Sequence, residues 1–594
     1  MKSIEQLSEE WLRLDKDPET RHEIVQLLAS KNDRELERRL RNRIAFGTAG
    51  LRSRMQAGFA RMNSLTVIQA SQGLGDYLLE QSPDARQRGV IIGRDARHNS
   101  EKFAELAAAA FVAKGIKVWW LERIVHTPLV PFAVRKLNAA AGIMITASHN
   151  PAQDNGYKVY WSNGCQIIPP HDTGIAAAIA GNQEPPSWDI EMVKRGHKLL
   201  EHTLDRLEND YFATVKHLVQ FDSSEPVPYF VYTPMHGVGL HYMLEALKQV
   251  LSQPPHDSPP HLKYISPCTV VAEQADPDPD FPTVQFPNPE ETGALALAIR
   301  TADTHSITLI LATDPDADRL AVAEKLPNGA WHQFTGNQLG VLLASSVLES
   351  PKWVGGEDRK KLAMLCSTVS TGMLRQIAAF EGFHFVETLT GFKWLGNVAQ
   401  RLTTADDYHV PFAFEEALGY MFTDVVHDKD GITAAAVFLA AAAKWMKESS
   451  MTPYQKLQQL YQKYGYFAEA NTYLVSASLE LTSAVFNNIR RSGPAPESHP
   501  THLCSRKILR WRDLTTGFDT ATPDNVPALP VDRNSQMITC EVEGGTRFTV
   551  RGSGTEPKIK LYIESRADTE EEAKTMALTV QKELLEEWFG LFKP

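Results

Sequence analysis

The 594 residues are too many for one hydrophobic core and suggest about four domains of roughly 150 residues each. With 43% apolar and 22% charged residues the composition is globular, and a net charge of −11 without a lysine or arginine block argues against nucleic acid or a membrane as the main partner. The five scattered cysteines (Cys165, Cys268, Cys366, Cys504 and Cys540) form no CxxC pair, which leaves neither a disulfide framework nor a zinc site and points to a reducing, cytosolic setting.

Residues 1–28 read as one amphipathic helix, too charged for a signal peptide, and no apolar run reaches the ~18 residues needed to span a bilayer. Short β-branched runs then alternate with helical patterns: "GVIIG" and "SEKFAELAAAAFVAKG", "VPYFVYTP" and "HYMLEALKQVLS", "SITLILAT" and later "NQLGVLLASSVLES". This alternation predicts βαβ units, with helices on both faces of parallel sheets. Residues 197–219 read as a helix leaving the first domain. Pro-rich punctuation follows at 276–291 and again at 490–500, the latter a surface loop. Beyond 536 the strand patterns alternate as in an antiparallel sheet, before a closing helix. The predicted class is α/β, with three α/β domains at 1–212, 213–334 and 335–452 and a smaller α+β domain at 453–594. No repeat is visible at the residue level, although the three α/β blocks could be structural copies.

Four stretches carry chemistry. In "LATDPDADRL" Asp314, Asp316 and Asp318 follow the apolar strand "ITLIL", and three converging carboxylates repel one another unless a cation sits between them. Oxygen donors of this kind suit Mg²⁺. An EF-hand is excluded by Arg319 and Lys325 at its sixth and twelfth positions, while a solvated acidic turn stays open. In "RGSGTEPKIK" Gly552 and Gly554 can align backbone N–H groups while Arg551, Ser553 and Thr555 add donors, giving either an anion nest or a plain hairpin turn. "FGTAGLR" is a small-residue loop ending in Arg52. Lys393 in the glycine loop "LTGFKW", and Glu415 and Glu416 in "FAFEEALGY", could address a phosphate and sugar hydroxyls; the two glutamates could equally start a helix.

"TASHNPAQDNGYK" holds Ser148, His149 and, ten residues after the serine, Lys158. It is not the GxSxG of a hydrolase, no Walker loop exists, and "HGVGLHY" lacks the third glycine of a dinucleotide site. Taken alone, Ser148 is more readily a helix cap than a nucleophile.

In series, "TASHNP" with "NGYK", "DPDADR", "FEEALG" and "RGSGTEPK" resemble the α-D-phosphohexomutase family from about Phe46 to about Glu564. "PDPDFPTV", "TLTGFKW" and "DKDG" resemble its branch of phosphoglucomutases and phosphopentomutases, which take both hexose and pentose phosphates. The resemblance implies four domains around a central cleft and an isomerase that moves phosphate between the 1- and the 5- or 6-position through a phosphoserine and a sugar bisphosphate. It makes Ser148 the phosphoryl carrier and, with Asp314, Asp316 and Asp318, a ligand of one Mg²⁺. Lys158 would shuttle a proton, assisted by His149 and Arg52, and Arg319 would face the phosphoryl group. Thr390, Gly391, Lys393, Glu415 and Lys429 would hold the sugar or its phosphate, and Arg551, Ser553, Gly554 and Thr555 the phosphate not being transferred. Partners would be small sugar phosphates, and the chain a monomer or weak dimer.

Two departures stand out: Ala417 replaces a serine common two residues after the sugar-loop glutamate, and "RGSG" replaces "RPSG" or "RTSG". A glucose 1,6-bisphosphate synthase would tend to carry a basic residue at Pro151 and proline at Thr390. A catalytically silent sugar-phosphate sensor would typically have lost Ser148 or a metal carboxylate. His126, His171 and His236 read as packing or capping residues rather than ligands.

Overall fold

Residues 1–28 do not form the single helix expected. Pro18, which has no N–H to donate, stands at the first position of a second helix, and Asp17 caps it by accepting from Glu19 N–H. The segment therefore folds as α1 (Ile4–Leu14) and α2 (Pro18–Ala29), followed by α3 (Asp33–Leu40). Trp11, Leu14, Ile24, Leu36 and Leu40 bury themselves against Phe59 and Leu65. The three helices thus share one small core with the segment that follows the first strand.

The computed structural model describes residues 2–47, 50–219, 221–222, 227–251, 264–265, 267–351, 359–495, 498–552 and 558–590. The chain divides into two units, Met1–Ser350 with Gly391–Pro453, and Pro351–Thr390 with Tyr454–Pro594.

In the first unit, β1 (Leu51–Arg54), β2 (Val90–Arg94), β3 (Val118–Trp120), β4 (Ala141–Ile145), β5 (Asp154–Trp161) and β6 (Leu200–His202) form a sheet in the order β1-β5-β4-β2-β3-β6. Strands β2, β3, β4 and β6 run parallel; β5 is antiparallel to β4 and β1. β6 corrects the expected helix over 197–219. Leu200–His202 extend the sheet beside β3, where pairing satisfies an otherwise open edge, and the helix begins only at Leu204. A second sheet joins β7 (Phe230–Thr233), β8 (Tyr264–Ile265), β9 (Cys268–Val270), β10 (Leu309–Thr313), β11 (Leu320–Lys325) and β12 (Trp331–Gln333) in the order β12-β11-β10-β7-β9-β8.

The two sheets follow one plan. The parallel triple β3-β2-β4 is matched by β9-β7-β10, and the antiparallel pair β4/β5 by β10/β11. β13 (Leu362–Ser367) and β14 (His384–Thr388), a parallel pair in the second unit, repeat the first of these pairings. β15 (His409–Glu415) and β16 (Gly419–Met421), an antiparallel hairpin in the first unit, repeat the second. The blocks copy one another in strand pairing.

The second unit also holds β17 (Tyr466–Glu469), β18 (Thr472–Val475), β19 (His502–Leu503), β20 (Arg506–Asp513), β21 (Phe518–Asp519), β22 (Met537–Val542), β23 (Thr546–Gly552) and β24 (Lys558–Ala567). Its main path β17-β24-β23-β22-β20-β19 is antiparallel throughout. Phe548, Val550, Leu561 and Ile563 pack with Ala577, Val580 and Leu584 of the closing helix Glu570–Glu587. No helix among the described residues is long and apolar enough to cross a membrane.

Candidate active site

β4, β10 and β15 are each an apolar strand followed by an antiparallel partner, and the loop after each one carries a chemical motif. Each loop also contains a non-glycine residue in the left-handed region: Ser148 (φ 56°), Ala317 (φ 52°) and Leu418 (φ 59°). Such residues are uncommon and concentrate where the surrounding structure over-determines a loop.

Ser148 is buried and caps no helix. Its N–H donates to Thr146 Oγ1 (2.9 Å), and its Oγ donates to Asp316 Oδ1 (2.8 Å) and Asp314 Oδ2 (3.2 Å). Asp314, Asp316 and Asp318 are all buried, with a ligand atom of each within 4.8 Å of the others, so the solvated acidic turn left open by the sequence is not what forms. Lys158 Nζ, from β5, donates to Asp316 Oδ2 (2.8 Å) and Asp318 Oδ2 (3.0 Å), and Lys429 Nζ lies 2.8 Å from Asp318 Oδ2.

Burial and the two neighbouring carboxylates push Asp314 well above the usual carboxylate range. Burial opposes ionisation of Asp316 too, but Lys158 and Lys429 outweigh it and hold that carboxyl well below. Burial likewise works against the Lys158 ammonium, and Asp316 and Asp318 overcome it, so the amine stays protonated. Asp318 Oδ1 is buried without a hydrogen-bond donor among the described residues. An orphaned carboxylate oxygen amid three carboxylates fits a divalent cation with a preference for oxygen ligands.

Close approach shapes the loop surroundings. A Cβ on Gly237 would stand 2.2 Å from Pro315 Cα, so "HGVG" serves to let the chain pack against the aspartate loop, where Val238 N–H donates to Pro315 O (2.8 Å). A Cβ on Gly336 would lie 1.8 Å from Glu416 O. Only glycine lets the helix Gly336–Leu348 start there.

The hairpin loop of β15/β16 reaches the same place. Leu320 N–H donates to Leu418 O (3.2 Å), and Arg319 bridges Gly419. Glu415 ends β15 rather than opening a helix, and its Oε1 accepts from Gly391 N–H (2.6 Å). Burial and the adjacent Glu416 raise its pKa to about 7. Lys393 stands in the first turn of the helix Phe392–Ala405, not in a loop as expected, because the helix begins directly after Gly391. Arg319 N–H donates to Asp314 Oδ1 (3.1 Å), and its Nε is 3.9 Å from Asp314 Oδ2. Arg52, exposed on β1, donates to Asn150 Oδ1 (3.2 Å). His149 is held well below the ordinary histidine range by burial and by Arg319 and Arg52.

The first unit therefore brings together Ser148, Lys158, the three aspartates, Arg319 and Lys429, with Glu415 and Gly391 beside them. Thr390 and Arg551 belong to the second unit, where Arg551 pairs with Lys560 near the end of β23. Ser553, Gly554 and Thr555 lie outside the described residues. His126, its ring centroid 3.8 Å from that of Tyr242, and His171, 4.1 Å from Trp161, pack against aromatic rings. His236 bonds Thr283 Oγ1 (2.8 Å).

Sequence reasoning missed Thr127 and Arg97. Thr127 Oγ1 donates to Asp316 Oδ2 (2.5 Å) and its N–H to Asp316 O (2.9 Å), which ties the first sheet's connections to the aspartate loop. Arg97 grips the Ser148 loop. The one available signal was "GRDAR" at the end of β2, where an Asp and an Arg directly follow an apolar strand.

The chain matches family models for phosphoglucomutase/phosphomannomutase alpha/beta/alpha domains I (residues 43–186), II (209–328) and III (335–464) and for the C-terminal domain (533–582). It is 46% identical to a phosphoribomutase of Saccharomyces cerevisiae over 98% of this chain and 95% of that one. With a glucose 1,6-bisphosphate synthase of Homo sapiens the identity is 41%, over 97% and 92%. The structure of parafusin, a phosphoglucomutase from Paramecium in its open form, superposes with a TM-score of 0.63, covering 91% of this chain and 94% of that one; at 20% identity this is a likeness of fold.

Proposed function

The chain belongs to the α-D-phosphohexomutase family, in its phosphopentomutase branch, and is a sugar-phosphate mutase; from this premise we propose that Ser148 carries the phosphoryl group between positions 1 and 5 of ribose or deoxyribose, and between positions 1 and 6 of glucose. The observation that carries the reading is Ser148 Oγ within hydrogen-bond distance of two buried aspartates, Asp314 and Asp316, the second of which also accepts from Lys158 Nζ.

Phosphorylated Ser148 gives its phosphoryl group to the free terminal hydroxyl of the sugar monophosphate, so that the new P–O bond forms as the Ser148 Oγ–P bond breaks. The resulting bisphosphate turns over in the site, and Ser148 takes the other phosphate back. Lys158 exchanges the proton of the sugar oxygen, and its protonated state suits the direction in which that oxygen leaves. Arg319 and the neutral His149 face the group in transfer, with Arg52 at the loop edge. Glu415 and Lys429 hold the sugar. Thr390, Gly391 and Lys393, with Arg551, Ser553, Gly554 and Thr555, serve its remaining groups. Mg²⁺, held by Asp314, Asp316, Asp318 and an oxygen on Ser148, would neutralise phosphoryl charge. Positioning and charge neutralisation are what a loose phosphoryl-transfer transition state requires.

Ala417 and the phosphoribomutase likeness favour pentose phosphates. The second reading, a bisphosphate synthase, has the 41% relative in its favour and Pro151 and Thr390 against it. One comparison tests both: kcat/KM for ribose 1-phosphate and glucose 1-phosphate, with and without 1,3-bisphosphoglycerate as donor, for the wild type and Ser148→Ala. We expect ribose 1-phosphate to be used at least as well as glucose 1-phosphate, and Ser148→Ala to be inactive. A bisphosphate made faster than isomerised monophosphate would replace the reading by the synthase, and turnover in Ser148→Ala would end the phosphoserine mechanism.

A further inference from the structure

We propose that Arg97 is a positioning residue for phosphoryl transfer: its buried guanidinium fixes the backbone of the Ser148 loop in the conformation that aims Oγ at the aspartates. The inference rests on Ser148 being the phosphoryl carrier.

The loop between β4 and β5 must turn the chain while holding Ser148 in a left-handed conformation that a serine seldom adopts. Its carbonyls converge on Arg97. Nη2 donates to Ser148 O (2.6 Å) and Asn150 O (2.5 Å), and Nη1 to Pro151 O (2.9 Å) and Asp154 O (3.2 Å). Four carbonyls spread over seven residues are thus gathered on one planar group, the one at Ser148 among them.

The clamp is itself anchored. Asp95 Oδ2 lies 3.3 Å from Arg97 Nε, and Asp95 Oδ1 accepts from Arg97 N–H (3.0 Å) and Ser100 Oγ (2.6 Å). Asp95 N–H continues the sheet by donating to Ile145 O (3.1 Å), at the end of the strand that leads into the loop. The guanidinium lies 4.9 Å from the ring centroid of Phe281. Both Asp95 and Arg97 are buried, so the carboxylate stands beside the guanidinium out of water.

Among the described residues every hydrogen bond of the Arg97 side chain goes to a backbone carbonyl, and none goes to Ser148 Oγ or to Asp314, Asp316 or Asp318. Its hydrogen bonds reach the site only through the backbone that carries Ser148. Arginine suits the task because its five N–H donors lie in one fixed plane, whereas the lysine ammonium is a point donor on a flexible stem. A carrier displaced by about 1 Å loses on the order of 100-fold in rate.

The test uses the full-length enzyme with Arg97→Lys, Arg97→Ala and Asp95→Asn. Single-turnover phosphorylation of Ser148 by ribose 1,5-bisphosphate is followed by intact mass, alongside kcat, KM and thermal melting. For Arg97→Lys we expect phosphorylation and kcat to fall together by about 100-fold, KM to stay within about threefold, and the melting point to fall by only a few degrees. Millimolar guanidinium should restore part of the Arg97→Ala rate and leave Arg97→Lys unmoved. If Arg97→Lys does not fold, Asp95→Asn decides, with a loss of about tenfold or more in kcat at constant KM expected. Phosphorylation of Ser148 at the wild-type rate in the folded Arg97→Lys, or in Asp95→Asn where that variant decides, would overturn the proposal. So would a loss in Arg97→Ala that tracks its unfolded fraction without any guanidinium response. Ser148→Ala run in parallel separates the two levels: its turnover would overturn the carrier itself, whereas an inactive Ser148→Ala beside a fully active Arg97→Lys overturns the clamp alone.

Discussion

Glu415 offers the sharpest functional test, because burial and its neighbour bring its titration close to neutral pH. Burial and the neighbouring Glu416 raise its pKa from 4.5 to about 7, and the Gly391 N–H bond only partly offsets them. If Glu415 grips sugar hydroxyls as an ionised acceptor, about nine-tenths of the enzyme is competent at pH 8 and about one-tenth at pH 6. In Glu415→Gln the amide oxygen can still accept from Gly391 and nothing titrates. Substrate phosphate and Ser148 phosphate also titrate in this range, but they do so in both enzymes. The quotient of wild-type over Glu415→Gln kcat/KM for ribose 1-phosphate should therefore fall about tenfold from pH 8 to pH 6. The sign for stability is independent and runs the other way. A carboxyl whose folded pKa lies above its unfolded value favours folding less as pH rises from 4.5 through 7, so the melting point of Glu415→Gln should match the wild type at about pH 4 and exceed it at pH 8. A quotient that stays constant within twofold, with the melting difference equal at both pH values, would refute the reasoning.

Two further outcomes follow from buried partners. Thr127→Val removes a hydroxyl that donates to Asp316 Oδ2 while the backbone bond to Asp316 O stays. The activity should then need about 10- to 100-fold more Mg²⁺ for half-saturation with kcat at saturating Mg²⁺ little changed, and an unaltered Mg²⁺ titration would count against the metal reading. In the second unit, burial raises Glu564 to about 7 although Gly372 N–H donates to it at 2.7 Å, so Glu564→Gln should stabilise the protein at pH 8 and be neutral at about pH 4; equal melting shifts at both would dismiss that titration.

The chemistry-bearing loops were legible because each follows an apolar strand and spends short polar residues where an ordinary turn would need fewer of them. Asp314, Asp316 and Asp318 could be read as one group, since alternate residues of a short turn can converge on a point. The distance from Ser148 to that group could not be read, because 166 residues separate Ser148 from Asp314. Thr127 and Arg97 escaped for a related reason. Both act on backbone or on one oxygen of another loop, and a threonine or arginine used that way leaves no pattern in its own neighbourhood. The break at Pro18 is legible in the sequence itself, while β6 is a three-residue strand whose existence depends on β3 lying beside it.

The repeat in the fold explains both what could and what could not be read. β4, β10 and β15 share a pairing scheme, and their ends and following loops supply a serine, three aspartates and a glutamate. What is copied is the backbone plan, in which an apolar strand feeds a left-handed turn ahead of an antiparallel partner. What differs is every side chain the turn presents. Comparison at the residue level therefore finds no repeat, while the same plan used three times gives the first unit Ser148, the three aspartates and Glu415, which the proposed function reads as carrier, metal ligands and sugar acceptor. On this view Ala417 is a change in one copy's cargo with its turn intact, since Leu418 still holds the left-handed position beside it. On the proposed function, sugar preference would then shift at the third loop without disturbing phosphoryl transfer at the first two.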